Sequence, residues 1–405
     1  MNVITDESKI QALFERGIIV DILPSKEQFI ERLKSGKRLR IYHGVDPVAS
    51  TLHLSHAKNF MVLEQLRQLG HEVIVLFGDF TARIGDPDKK SVRKQLSEEE
   101  VGEHVKLWRK QIDPLIDFNA KDNPARIAFN SAWLSKLSLA DVIKLSANFT
   151  VQQMLERDMF QKRMNQGDPV WLHEFMYPLL QGFDSVELDV DAELCGTDQT
   201  FNALAGRTLM KRLKDKEKFV IINNLMENPK TGEVMSKSKG IGVFLNTTAF
   251  EMFGAIMAEA DEMIEVLFRN CTRLPMLDMQ NMLDQGPKEA KFVVAFDIVK
   301  RFFGEDVATK AKQEWEDTFS KGGLPDEIIE INAASDEALI DALLKAKIVP
   351  SKTEWGRLIS ETAVKILDRD GTEIERIEEK DFKITKPLIL KIGKKRFIKI
   401  LLENK

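Results

Sequence analysis

Residues 38–77 read RLRIYHGVDPVASTLHLSHAKNFMVLEQLRQLGHEVIVLF, and this stretch decides the fold. Arg38–Asp46 (RLRIYHGVD) has the apolar, β-branched run of a buried strand and ends in a Gly-Val-Asp-Pro turn. From Leu54 to Leu69 the apolar residues take a helical spacing, and Glu72–Phe77 (EVIVLF) is a second buried strand. Strand, helix and strand, with a polar, Gly-containing loop after each strand, make the βαβ unit of an open parallel sheet. Such sheets bind ligands at the carboxyl ends of their strands, so the residues just after each strand carry the functional reading.

Working outward, further strands are expected at Ala125–Phe129, Leu188–Leu194 and Phe219–Ile222, with helices between them. Thr247–Ser320 is helical throughout, and Pro325–Ser335 reads as a connector. The final segment returns to short strands and turns. Asp368–Gly371 is one expected hairpin turn there, and Pro387–Ile400 (PLILKIGKKRFIKI) is a hairpin pivoting on Gly393.

The composition narrows the class. Of 405 residues, 43% are hydrophobic and 30% charged, the balance of an ordinary globular chain, and no apolar run approaches the roughly 18 residues of a membrane span. Cys195 and Cys271 are too few for a disulfide scaffold and too far apart for a structural zinc site. Asp6, Glu7 and Glu15 make the N-terminus unlike a secretory or transit signal, so a reduced, cytoplasmic location is expected. Net charge is −5, yet residues 351–405 hold 14 Lys and Arg against 10 Asp and Glu. A basic tail on an acidic chain points to a local anionic partner.

Three features carry chemistry. His53 and His56 stand three apart at the start of the first helix, beside the free N–H groups and positive dipole end that favour anions. Glu233–Gly240 (EVMSKSKG), with glycines at 232, 240 and 242, is a cationic, donor-rich loop able to close over a polyphosphate. Tyr177, Gln181 and Asp184 fall at i, i+4 and i+7, a polar stripe on a segment with no charge between Phe175 and Phe183. The chain has 24 Phe but only two Tyr, at 42 and 177, which points to hydroxyls kept for hydrogen bonding.

HLSH followed by MSKS resembles the two signatures of class I aminoacyl-tRNA synthetases. The stretches YHGVDP (42–47), GDFTARIGDP (78–87), YPLLQGFD (177–184) and GTDQ (196–199) are similar to motifs of the tyrosyl-tRNA synthetases. SKTEWGRLI with LKIGKKRFIKI resembles the S4-type RNA-binding domain that ends bacterial members. The resemblance implies an α/β chain: a Rossmann-type parallel-sheet catalytic domain over 1–244, an α-helical tRNA-binding domain over 245–332, a linker at 333–345 and a small α+β S4-like domain over 346–405. It also implies a homodimer formed through an insertion within 115–170.

It further implies roles for residues. Tyr42 and Asp184 would bind the phenolic hydroxyl of tyrosine; Asp86, Tyr177 and Gln181 would hold its ammonium. Asp198 and Gln199, with Gly196, would meet the ribose and the carboxylate side of the intermediate. Gly44, Asp46, His53, His56, Lys237 and Lys239 would serve ATP, with His53, His56 and Lys237 stabilising its phosphates and Mg²⁺ arriving with the nucleotide; no protein-bound metal is expected. Lys391, Lys394, Lys395, Arg396 and Lys399 would meet tRNA(Tyr).

The chain departs from the family pattern in the ATP half. Val48 stands where the family has Thr, Ser55 where it has Gly, and Val234 where it has the first Lys of the second signature. These departures favour, as a rival, a synthetase-derived RNA-binding protein with weak or no activation activity. A second rival, an adenylyltransferase of the same superfamily acting on another small acid, is opposed by the S4-like tail and the polar stripe.

Overall fold

The computed structural model describes residues 2–85, 96–235, 240–320, 328–368, 371–393 and 396–402. Two compact units result: Met1–Thr247 with Glu259–Phe302, and Thr248–Ala258 with Phe303–Lys405.

The first unit is built on six strands: β1 (Ile19–Leu23), β2 (Arg40–Val45), β3 (Glu72–Phe77), β4 (Arg126–Phe129), β5 (Ala192–Gly196) and β6 (Phe219–Asn223), in the order β1-β6-β5-β2-β3-β4. The five from β2 to β6 run parallel; β1 is an antiparallel edge on β6. The βαβ reading of 38–77 is realised as β2, helix Leu54–Gln68 and β3, with Tyr42 opposite Ile74. The strand expected at 188–194 begins later, at Ala192, because Leu188 caps helix Met176–Glu187. Helices Met176–Glu187 and Thr200–Lys214 approach closely, and a Cβ on Gly182 would sit 3.0 Å from the Gly206 nitrogen.

The helical stretch expected as one domain divides between the units. Arg16 explains why 263–274 stays with the sheet: its guanidinium donates to the Phe268, Arg269 and Leu274 carbonyls and to Thr272 Oγ1, satisfying orphan acceptors at the end of helix Met263–Cys271.

The second unit holds a five-stranded sheet of β7 (Ile329–Ala333), β8 (Val364–Leu367), β9 (Glu373–Arg376), β10 (Leu388–Ile392) and β11 (Arg396–Leu402), ordered β7-β11-β10-β8-β9. This corrects the linker reading of 333–345. β7 pairs in parallel with β11, and helix Leu339–Lys345 buries Leu339, Ile340 and Leu343 in a core with Trp355, Leu390 and Ile398. The small domain therefore starts upstream of 346. The expected pivot at Gly393 is found with φ +66°, a backbone region that favours glycine. Of the turn at 368–371, residues 369 and 370 lie outside the described residues.

Two histidines are sealed into the first unit. His71 Nδ1 accepts from the Leu39 N–H at 3.3 Å, and His43 Nδ1 donates to the Leu194 carbonyl at 2.8 Å. Burial pulls both down to about 4, with Arg38 adding to the effect at His71 and Lys58 at His43. The folded state thus keeps them neutral while the unfolded chain takes up protons below about 6.5. Their contribution is fully present above that value and is lost as the pH falls to about 4, by up to about 3 kcal/mol each. Urea unfolding at pH 7.5 and 4.5 should show this loss, and His71→Gln should make it smaller; an unchanged difference would remove His71 from the account.

Candidate active site

A cavity of about 910 Å³ opens at the carboxyl ends of β2 and β5. It brings together Tyr42, Gly44, Asp46, His53, His56, Tyr177, Gln181, Asp184, Gly196, Asp198 and Gln199, every described residue named above for tyrosine or ATP. Asp86, Lys237 and Lys239 lie outside the described residues, as do Lys394 and Lys395.

The floor is polar and buried. Tyr42, fully buried on β2, has its hydroxyl 3.0 Å from Ser185 Oγ. Beside it, Asp184 accepts from Trp133 Nε1 at 2.7 Å and Asn130 Nδ2 at 3.2 Å. Burial pushes the Asp184 carboxyl well above the usual range, with Asp46 and Glu193 adding to the rise, while the two donors act the other way. Burial likewise raises the Tyr42 phenol. The floor can therefore receive a group that offers one more hydrogen bond.

Above it, the Tyr177 hydroxyl donates to Asp46 at 2.7 Å, and Thr81 Oγ1 donates to the other Asp46 oxygen at 2.8 Å. Gly78 is required here, since a Cβ would collide with the Asp46 carboxylate and Thr81 Oγ1. Gln181 Nε2 donates to Glu193 at 2.9 Å, and Asn202 Nδ2 donates to the side-chain carbonyls of both Gln181 and Gln199.

The two histidines line the same cavity. His53 is the N-cap of helix Leu54–Gln68 and its N–H donates to His56 Nδ1 at 3.3 Å; their rings lie 3.9 Å apart. The loop that delivers them is fixed by helix Glu98–Ile112. His104 bonds the Pro47 carbonyl, Trp108 Nε1 the Ala49 carbonyl, and Gln111 both Leu52 N–H and the Ser50 carbonyl. Val48, Ser55 and Val234 also line the cavity.

Sequence reasoning missed what lies beneath. Glu193 on β5 and Lys218 before β6 form an ion pair with side chains 2% and 0% exposed, and Lys218 also donates to Ser185 Oγ and the Ala203 carbonyl. A glutamate inside the run AELCG was the available signal.

In the second unit, β10 and β11 place Lys391 and Lys399 on the sheet face opposite the buried Leu390, Ile392, Ile398 and Ile400. Lys399 pairs with Glu330 at 2.7 Å and Lys391 sits over the Phe397 ring. Arg396 instead donates to the Ile348 carbonyl at 2.6 Å, which ties it to its own unit.

Comparisons with known proteins give the family. The family of tRNA synthetases class I (W and Y) matches residues 34–320. A tyrosine–tRNA ligase of Carboxydothermus hydrogenoformans is 40% identical, with 98% of this chain and 99% of that protein covered. One from Haemophilus influenzae is 36% identical over 99% and 98%. Among solved structures, a C-terminally truncated mitochondrial tyrosyl-tRNA synthetase of Aspergillus nidulans superposes with a TM-score of 0.66 at 24% identity, covering 78% of this chain and 95% of that one.

Proposed function

The chain belongs to the class I tRNA synthetases for tryptophan and tyrosine, and from that membership and the cavity we infer that it is a tyrosine–tRNA ligase. It activates L-tyrosine with ATP to tyrosyl-adenylate, releasing pyrophosphate, and then transfers the tyrosyl group to the 3′-terminal adenosine of tRNA(Tyr). The observation that carries the choice of amino acid is the Tyr42–Asp184 floor, a buried phenol and carboxyl side by side that can both hydrogen-bond one substrate hydroxyl, which donates and accepts where an indole N–H only donates.

The residues divide the work as follows. Tyr42 and Asp184 take the substrate hydroxyl; Tyr177, Gln181 and Asp86 take its ammonium. Asp198 and Gln199 receive the ribose and the carboxylate side, with Gly196 giving the backbone close approach. Gly44 and Asp46 shape the ATP half, and His53, His56, Lys237 and Lys239 supply donors and positive charge to the phosphates. Tyrosine's own carboxylate is the nucleophile, so the protein contributes positioning and charge stabilisation rather than a covalent step. Mg²⁺ enters with ATP as part of the substrate. Charging of tRNA(Tyr) with labelled tyrosine tests this assignment; absence of charging with every amino acid would leave the RNA-binding alternative.

The basic sheet face carrying Lys391 and Lys399, with Lys394 and Lys395 between them in sequence, is the proposed tRNA contact of the second unit. The cytoplasm, where tRNA is charged, is the proposed compartment; among the described residues no helix is long and apolar enough to cross a membrane. A second copy of the chain is the proposed cover for the exposed apolar residues Leu139, Ile143, Val151, Met164, Trp171 and Leu172. Light scattering should give a dimer, and Leu139→Glu with Leu172→Glu should give a monomer; a dimer that survives both changes places the interface elsewhere.

A further inference from the structure

Lys58 lies five residues beyond His53 on helix Leu54–Gln68, and only 1% of it is exposed. Its ammonium donates to the Asn224 carbonyl at 2.5 Å and to Asn59 Oδ1 at 3.2 Å, and among the described residues no carboxylate lies within ion-pair distance. A buried lysine with no acid against it is rare, because the charge loses its water without gaining a counter-ion. Burial accordingly pulls Lys58 down to about 8, with Asp198 acting in the opposite direction.

Lys58 is also part of the cavity wall, together with Asn59, Asp198, Leu225 and Met226. It stands three positions after Ser55, so both fall on one flank of the helix. Val234, which stands in place of the first lysine of the second signature, lines the same cavity. Two of its three N–H groups have acceptors in the protein, which leaves one for a ligand.

We propose that Lys58 is a further ATP-binding residue, its ammonium meeting an acceptor on the nucleoside part of ATP while it fixes the Asn224–Met226 segment against the same ligand. The assignment rests on the ligase reading for the identity of the nucleotide. Asp198, assigned above to the ribose, lines the same cavity and its charge acts on Lys58, which selects the nucleoside over the triphosphate tail.

The test compares wild type with Lys58→Gln, which retains an N–H for the Asn224 carbonyl but no charge, and with Lys58→Met. In pyrophosphate exchange the ATP KM should rise about tenfold in both while the tyrosine KM stays within about twofold, as loss of one charge-assisted hydrogen bond allows. Calorimetric binding of ATP and of adenosine should weaken in parallel, and inhibition by pyrophosphate alone should not change. Binding of ATP at wild-type strength by Lys58→Gln overturns the proposal. So does equal weakening of tyrosine binding, which marks a purely structural lysine, or weakening confined to pyrophosphate. Wild-type exchange reads the ligase assignment by itself, whereas the binding measurements judge Lys58 whether or not exchange occurs.

Discussion

Asp184→Ala should lower the kcat/KM for tyrosine activation by about two orders of magnitude while leaving activation of phenylalanine nearly untouched. Asp184 is 2% exposed and already accepts from Trp133 and Asn130, so its carboxylate is held in place before a ligand arrives. A hydrogen bond to a buried carboxyl fixed in this way contributes about 1–3 kcal/mol, which only a substrate with a hydroxyl can collect. Phenylalanine never makes that bond and therefore loses nothing when it disappears. Tyr42→Phe removes a neutral partner and should act in the same direction by about tenfold. Parallel kinetics with the two amino acids check both values. Equal losses for tyrosine and phenylalanine would place Asp184 in the scaffold rather than against the substrate.

Glu193→Ala should cost about 3–5 kcal/mol of folding stability, because it strands the Lys218 ammonium in a site with no access to water. Lys218 would keep Ser185 Oγ and the Ala203 carbonyl as acceptors but lose its only acid among the described residues. The same change removes the acceptor of Gln181 Nε2, so tyrosine affinity should fall as well. Adding Lys218→Met to Glu193→Ala should recover a large part of the stability, a coupling that single substitutions cannot mimic. Denaturant unfolding of the four proteins measures it. Additive effects would mean that the two side chains do not act as a pair. Gly206 belongs to the same arrangement, since a Cβ there would sit 2.5 Å from Lys218 Nζ and 2.7 Å from Ser185 Oγ.

The legibility of the molecule follows the range of its interactions. β2, helix Leu54–Gln68 and β3 could be read because each announces itself by local periodicity, and the residues after the strands then fell into one cavity. β1 is less plain: IVDIL has the β-branched composition of a strand, but Ile19–Leu23 is an edge strand with Val20 and Asp21 exposed and an irregular register, so its place beside β6 rests on a partner about 200 residues away. Helix Leu339–Lys345 is legible, since Leu339, Ile340 and Leu343 have helical spacing, although the stretch 333–345 is expected as a linker. Lys58, Glu193 and Lys218 belong to a different class. A lysine in a helix or a glutamate in a strand says nothing about burial until its partner is placed, and those partners lie 166 residues away for Lys58 and 25 for Lys218. The polar stripe of Tyr177, Gln181 and Asp184 escaped this limit because one helix carries all three.

In the function proposed, one cavity holds tyrosine on the Tyr42–Asp184 floor and ATP toward the histidines. That arrangement is tested most directly by exchange of labelled pyrophosphate into ATP, measured in turn with tyrosine, phenylalanine and tryptophan. Exchange that depends on tyrosine and is far slower with the other two is the expected result. Exchange supported as well by phenylalanine or tryptophan, or absent with all three, would contradict it.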